Sequence, residues 1–171
     1  MADAHKLARF ERALLPHLDA AHNLARWLLG NAPDAEDAVQ DAFVRALTFF
    51  DSFHGEDGRG WLLAIIRNTC YDWLRKNRRT AEVAGAAEEL ERAADGAPGP
   101  EAAQLRRADE RRVRQGLESL PAEYREALVL REMEGLSYKQ IAQVAGVPIG
   151  TVMSRLARGR KRLAAALEEA P

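Results

Sequence analysis

The chain has 171 residues, of which 47% are hydrophobic and 6% aromatic, and its 25 Lys and Arg nearly balance its 26 Asp and Glu. This length allows one ordinary domain or two small ones, and the apolar content excludes a wholly disordered chain. Ala, Leu, Arg and Glu dominate, and no stretch shows the alternating β-branched pattern of strands. We therefore predict an all-α protein.

The single cysteine, Cys70, excludes an intramolecular disulfide and a multi-cysteine zinc site, and favours a reducing, cytoplasmic location. Acidic and basic residues are mixed in the first dozen positions, without an uninterrupted apolar core. We expect no signal peptide and no membrane insertion. The four histidines are scattered and form no i,i+4 pair, so we also expect no metal and no cofactor.

The first predicted helix spans residues 7–29 and is kinked or divided at Pro16. Asp34 is predicted to cap the next helix, which has one apolar face that forms core. A second face of that helix carries Asp37, Gln40, Asp41 and Val44. Two interpretations of this acidic stripe stay open, because the helix dipole stabilises acids near a helix start whether or not they bind a partner.

After a glycine-rich bend at residues 53–60, a helix is predicted from Trp61 to about Arg78. Its apolar stripe includes Trp61 and Trp73, which we interpret as core. The remaining surface is polar, basic and aromatic. It consists of Arg67, Asn68, Tyr71, Arg75 and Lys76, and the basic patch continues to Arg79. Such a surface suits single-stranded nucleic acid, since bases stack on rings and cations hold phosphates; a solvated helix face is the alternative.

The middle of the chain is poor in core-forming residues. Ala, Glu, Gly and Pro make up most of it, and residues 97–100, with sequence APGP, interrupt any helix. We therefore predict two small helical domains, residues 1–79 and 108–171, joined by a flexible linker at residues 80–107.

The second domain ends in a predicted helix-turn-helix. Ser137 and Gln140 form a capping-box pattern, Gly146 provides a tight turn, and a last helix runs from about residue 148 to 168. No acid occurs between Leu136 and Leu167. The outward line of the last helix contains Thr151, Ser154, Arg155, Arg158 and Arg162. This line suits the major groove of duplex DNA, where arginines reach guanine edges or phosphates.

Several short motifs, in this order, resemble one family. They are DAEDAVQDAF at residues 34–43, WL at 61–62, IRN at 66–68, DWLR at 72–75, LP at 120–121, LRE at 130–132, GLSY at 135–138, IA at 141–142 and VPIGTVMSR at 147–155. Together they resemble an extracytoplasmic-function sigma factor of the sigma-70 family. The resemblance covers most of both predicted domains and leaves the linker uncovered.

The resemblance implies a dissociable initiation subunit of bacterial RNA polymerase that binds and does not catalyse. The face with Asp37, Gln40, Asp41 and Val44 would dock on core polymerase. The helix from Trp61 would read and melt the −10 element as a single strand, after a base is flipped into the loop at residues 53–60. The last helix would read the −35 element as duplex. An anti-sigma factor is a further implied partner.

Two other classes compete with this interpretation. A helix-turn-helix regulator that binds duplex operators as a homodimer would need a dimerisation helix, and the helix from Trp61 has polar Arg67, Asn68 and Asp72 instead of a clean heptad seam. We therefore expect a monomer when the chain is free. An enzyme acting on nucleic acid is disfavoured because Cys70 has no histidine near it in sequence and no phosphate-binding motif occurs.

Overall fold

The chain folds into α-helices in a computed structural model that describes residues 2–55, 57–84 and 101–169, with side chains described for 3–55, 57–78 and 101–169. The helices are α1 (Ala2–Leu14), α2 (Leu18–Leu29), α3 (Ala32–Phe49), α4 (Gly58–Ala84), α5 (Glu101–Glu118), α6 (Ala122–Leu128), α7 (Tyr138–Ala145) and α8 (Ile149–Glu169). No strand occurs among the described residues, which confirms the all-α prediction for this part of the chain.

Proline and glycine divide the first lobe, α1 to α4, as predicted. Pro16 lies in a 3-10 turn between α1 and α2, and Gly30, with φ of 82°, ends α2 in the left-handed conformation. The cap of α3 differs from the prediction. Asn31, not Asp34, is the capping residue, and its side-chain oxygen accepts a hydrogen bond of 2.9 Å from the Asp34 backbone. The helix starts earlier because Pro33 is pre-organised for the first turn.

The core of the first lobe lies where α2 and α3 pack on α4. Its largest fully buried side chains are Leu14, Leu24, Leu28, Phe50, Leu62, Leu63 and Ile66. Trp61 and Trp73 are partly buried and pack against this core, in agreement with their interpretation as core residues. The opposite surface of α4 is thereby held outward.

The second lobe, α5 to α8, contains the predicted helix-turn-helix. The Ser137 hydroxyl accepts from the Gln140 backbone and the Gln140 side chain accepts from the Ser137 backbone, so the predicted capping box is confirmed. Gly146 has φ of 68°, which a residue with a side chain rarely adopts, and it turns the chain from α7 into α8. α6 continues as a π-helical turn over Val129–Met133.

The ends of the predicted linker are helical. α4 continues to Ala84 and α5 begins at Glu101, so both flanking helices extend into the predicted linker, whose boundaries stay a prediction. The physical reason is helix propensity, because residues 101–107, with sequence EAAQLRR, are strong helix formers that follow a proline at the helix start. The rest of the predicted linker, residues 85–100, lies outside the described residues.

The two lobes pack against each other, α7 on α4 and α6 on α2. Polar groups bridge them: the Asn23 amide donates to the Glu134 side chain at 2.9 Å, and Arg59 donates to the Glu134 carbonyl at 3.2 Å. Arg125 reaches the Leu28 carbonyl at the end of α2, at 3.2 Å. Among the described helices, none is both long and apolar enough to span a membrane.

Candidate nucleic-acid interface

The predicted single-strand surface on α4 is only partly open. Asn68, Arg75 and Lys76 are exposed, whereas Tyr71 is half-buried. Arg75 forms an ion pair with Asp72, one turn away on the same helix, and Asp72 also accepts from Arg45 of α3 at 3.0 Å. These arginines lower the pKa of Asp72, the hydrogen bond from Arg45 being the largest cause. The predicted residue Arg79 is helical, but its side chain lies outside the described ones.

Tyr71 and Arg67 are engaged by a glutamate of the second lobe. Arg67 Nε donates to one carboxylate oxygen of Glu126 at 2.7 Å, and the Tyr71 hydroxyl donates to the other at 3.1 Å. The Arg67 guanidinium also lies 4.2 Å from the centre of the Tyr71 ring, in a cation–π contact. The Glu126 side chain is 1% exposed and that of Arg67 18%.

Burial governs the protonation of this cluster. It raises the pKa of the Glu126 carboxyl above its ordinary value, and the positive charges of Arg67 and Arg155 oppose that rise. Burial, with the negative Glu126 nearby, raises the pKa of the Tyr71 hydroxyl and that of the Cys70 thiol, the latter to about 12. Both groups are therefore protonated at neutral pH, which suits Tyr71 as a hydrogen-bond donor to Glu126.

The predicted docking face on α3 is exposed as a continuous stripe. Asp37, Gln40, Asp41 and Val44 all lie on the surface, and the Val44 side chain is 66% exposed. Asp41 also accepts a hydrogen bond of 3.2 Å from the indole nitrogen of Trp73 on α4. The stripe is thus tied to the helix that carries the single-strand surface.

An aromatic cavity of about 330 Å³ lies beside the loop before α4. Its lining residues are Arg9, Arg12, Ala13, Phe50, Phe53, His54 and Gly55. Phe53 packs on Trp61, with ring centres 5.1 Å apart, and Arg9 lies over the Phe50 ring at 5.5 Å. The loop ends at Asp57, whose side chain accepts from the Gly60 backbone at the start of α4. Aromatic walls and two arginines suit a base with its phosphate.

The outward line of α8 is positioned by its buried side. Val152 and Leu156 are each 1% exposed, and Gly159 lets α8 approach α6, where a Cβ at that position would lie 3.3 Å from Leu128. Of the predicted duplex-reading residues, Ser154, Arg158 and Arg162 are exposed, while Thr151 and Arg155 are half-buried. The structure thus brings all five predicted residues to one helix.

Two of these arginines have partners inside the molecule. Arg162 lies 5.0 Å from the centre of the Tyr124 ring, and Arg155, which is half-buried, contributes a long-range charge interaction that lowers the pKa of Glu126. Arg160, which was not among the predicted contacts, forms an ion pair of 2.9 Å with Glu132. Arg158 is therefore the exposed arginine of the predicted line for which no such contact is described.

Family comparisons agree with this arrangement. The family "Sigma-70 region 2" matches residues 14–80 and "Sigma-70, region 4" matches residues 110–163. The RNA polymerase sigma-H factor of Pseudomonas aeruginosa is 38% identical over 145 residues, which cover 81% of this chain and 75% of the relative. The chain belongs to the extracytoplasmic-function sigma factors of the sigma-70 family.

Two further relatives extend the comparison. ECF RNA polymerase sigma factor SigE of Mycolicibacterium smegmatis is 34% identical over 161 residues. The matched region covers 94% of this chain but only 62% of that relative. The sigma factor RpoE of Bartonella quintana, solved in complex with the anti-sigma factor NepR, matches with a TM-score of 0.76 and 32% identity, covering 95% of this sigma factor and 99% of that chain.

Sequence patterns missed Glu126, Arg67 in its paired role, and the cavity-lining Arg9 and Arg12. A signal for Glu126 was present, since it lies four residues before the fully buried Leu130 on the same helix and so shares its inward face. An acid at such a position needs a cationic partner. Local periodicity could not have identified that partner, which is 59 residues away.

Proposed function

We propose that this sigma factor directs core RNA polymerase to specific promoters, binding the −35 element as duplex through α8 and the −10 element as a separated strand through α4. It acts by binding, and the chemistry of transcription belongs to the polymerase. The observation that carries the proposal is the pairing of two differently built basic helices in one chain: α8 exposes polar residues and arginines in a helix-turn-helix, and α4 combines cations with an aromatic ring.

The proposed −35 contacts follow the direction of α8. Thr151 and Ser154, in its first turns, face the base edges, and Arg155, Arg158 and Arg162 reach guanine or phosphate further along. Exposed Met153 cannot donate a hydrogen bond, so it contributes only apolar contact, for example to a thymine methyl group.

The proposed −10 contacts combine α4 with the aromatic cavity. Asn68 and Tyr71 contact unpaired bases, and Arg75, Lys76 and Arg79 hold the strand's phosphates. The cavity beside Phe53 accepts a flipped base, with Arg9 and Arg12 balancing its phosphate. Extruding a base costs a few kcal/mol, and stacking inside the cavity offsets that cost.

The acidic stripe of α3 is proposed as the polymerase docking surface. Asp37, Gln40, Asp41 and the exposed Val44 form a face with charge at one end and an apolar side chain at the other. A basic, partly apolar surface on core polymerase would complement it.

Partners of relatives support one more proposal. Since the Bartonella quintana relative was solved with an anti-sigma factor, we infer that an anti-sigma factor also controls this sigma factor. The free sigma factor is proposed to be a monomer, since the helix from Trp61 carries polar Arg67, Asn68 and Asp72 instead of a clean heptad seam.

The decisive test is transcription by core polymerase on a pool of random promoter fragments, with and without the protein, followed by sequencing of the transcript starts. We expect starts that share upstream −35 and −10 sequences only when the protein is present. A stable homodimer that binds isolated duplex at nanomolar concentration, with no new transcript starts, would instead favour the helix-turn-helix regulator.

A further inference from the structure

The carboxylate of Glu126, from the second lobe, contacts α4 on the surface where a nucleic acid is proposed to bind. Both of its oxygens are used, one by Arg67 at 2.7 Å and the other by Tyr71 at 3.1 Å. Arg67 also donates to the side chain of Asn68 at 3.2 Å. Two of the proposed −10 contacts, Tyr71 and Asn68, are therefore part of one hydrogen-bonded group with the second lobe.

A carboxylate and a phosphate make the same demand on such a group. Each offers negatively charged oxygens to an arginine and a hydroxyl, with similar geometry. Glu126 is 1% exposed and accepts from Arg67 Nε, so that nitrogen is not available to another anion while the lobes are packed. The positive charge of Arg155, on the proposed −35 helix, acts on the same carboxylate. Glu126 thus contacts the proposed −10 helix directly and interacts with the proposed −35 helix only through its charge.

The rest of the interface is polar and incompletely closed. The described bridges are hydrogen bonds from Asn23, Arg59 and Arg125, and a polar cleft of about 440 Å³ remains between α2 and α5. The Nε of Arg125 is buried without a hydrogen-bond partner, which costs free energy in the packed arrangement. Interfaces of this kind within a chain separate more readily than apolar ones.

We propose that Glu126 holds the free sigma factor closed as an internal competitor of the promoter strand: its carboxylate takes the place of a phosphate at Arg67 and occupies the hydroxyl of Tyr71, whose ring would otherwise contact a base. The proposal rests on the proposed function of α4. Core polymerase, by holding the lobes apart, would remove Glu126 from α4 and so make the single-strand surface available only within the holoenzyme. Free sigma factor would then bind single-stranded DNA poorly.

The primary test substitutes Glu126→Gln and measures two properties of the free protein. Fluorophores on cysteines introduced at exposed Thr48 of α3 and Gln143 of α7 report the distance between the lobes by energy transfer, with buried Cys70 left unlabelled. Binding is measured by anisotropy of a random-sequence single strand of about 12 nucleotides. The matched control is Glu132→Gln, which breaks an arginine pair within one lobe.

We expect Glu126→Gln to lower energy transfer and to tighten single-strand binding by about tenfold or more, because apparent affinity scales with the open fraction. Glu132→Gln should change neither. Unchanged transfer and affinity in Glu126→Gln, or equal changes in both variants, would overturn the proposal.

A charge exchange guards against a trivial loss of folding. Arg67→Glu alone should open the lobes, and Arg67→Glu with Glu126→Arg should restore energy transfer, which a misfolded chain could not do. The proposal is contradicted if energy transfer in the double variant is no higher than in Arg67→Glu alone and in Glu126→Arg alone.

Transcription separates this proposal from the proposed function. Holoenzyme with Glu126→Gln should use the same promoters as the unaltered sigma factor, since under this proposal core polymerase separates the lobes of both proteins. If neither protein yields promoter-specific starts, the proposed function fails. If both yield promoter-specific starts but the two free proteins show equal energy transfer, only the proposed closure by Glu126 fails.

Discussion

The two proposed DNA-reading helices differ in how their working surfaces are held. On α8, the buried Val152 and Leu156 face the helix's own lobe and leave Arg158 free of described contacts. On α4, Arg67 and Tyr71 are bound by Glu126 from the other lobe. Duplex DNA could bind the outward face of α8 directly, whereas a separated strand would have to displace Glu126 from Arg67 and Tyr71. The availability of α8 for DNA therefore depends on its own lobe, and that of α4 on its contact with the other lobe.

The largest expected contrast is chemical. Cys70 of α4 is fully buried with its pKa raised to about 12, so at pH 8 only about one thiol in ten thousand is a thiolate, the reactive form. In Ser154→Cys, the new thiol on exposed α8 should be alkylated by iodoacetamide at least about a hundredfold faster than Cys70. Peptide mass spectrometry of one sample measures both rates, and equal rates would show that α4 is not covered.

The second contrast concerns promoter opening. Arg158→Ala should weaken holoenzyme binding to promoters by about 5- to 150-fold, the range for loss of one base-reading arginine, without unfolding the lobe. Tyr71→Ala should instead impair opening. Templates already unpaired at −10 should partly rescue Tyr71→Ala and leave Arg158→Ala as defective as before. Arg155→Ala, tested in parallel, should behave like Arg158→Ala; equal rescue of all three variants would refute the division between the helices.

A third prediction tests whether the acidic stripe is independent of both readers. Asp37→Lys should weaken binding to core polymerase by about tenfold, because a lysine at this position would repel the basic polymerase surface proposed to dock on α3. The control is Glu11→Lys, the same charge change at an exposed position of α1. Pull-down with core polymerase measures both, and circular dichroism should show unchanged helicity. Asp41→Lys should act in the same direction. Indistinguishable affinities for Asp37→Lys and Glu11→Lys would remove the docking proposal.

The smallest expected effect distinguishes the lobes by their caps. Ser137→Ala removes the capping box of α7 and should lower the free energy of unfolding by about 1 kcal/mol. Urea unfolding followed by circular dichroism measures the loss. Binding to core polymerase through α3 should not change, whereas −35 binding should weaken. A loss of polymerase binding as large as the loss of −35 binding would argue against separate roles for the lobes.

Local patterns predicted most of the second lobe because its signals are local. Ser137 and Gln140 are three residues apart, Gly146 makes its turn alone, and the inward position of Val152 determines which way Arg158 faces. The same kind of reasoning predicted that Pro16 divides the first helical segment.

The missed features depend on groups distant in sequence or on competing local signals. Asp34 and Asn31 are both good caps, and only the position of Pro33 in the first turn decides between them. The helix that begins at Glu101, inside the predicted linker, was not predicted because helix propensity near that residue outweighed the general Ala, Glu and Gly content. Arg67 becomes the partner of Glu126 because the two lobes pack together, and the periodicity of a single helix carries no information about that packing.

If α3 docks on core polymerase and α4 reads the promoter as proposed, the hydrogen bond between Trp73 and Asp41 links promoter recognition to polymerase assembly thermodynamically. A polymerase cation that pairs with the Asp41 carboxylate would weaken the hydrogen bond that this carboxylate accepts from the Trp73 indole of α4. By reciprocity, a promoter strand that weakens this hydrogen bond when it binds α4 would change the affinity of α3 for polymerase by the same factor. Core polymerase on a cognate promoter would then bind its sigma factor with a different affinity from core polymerase on nonspecific DNA.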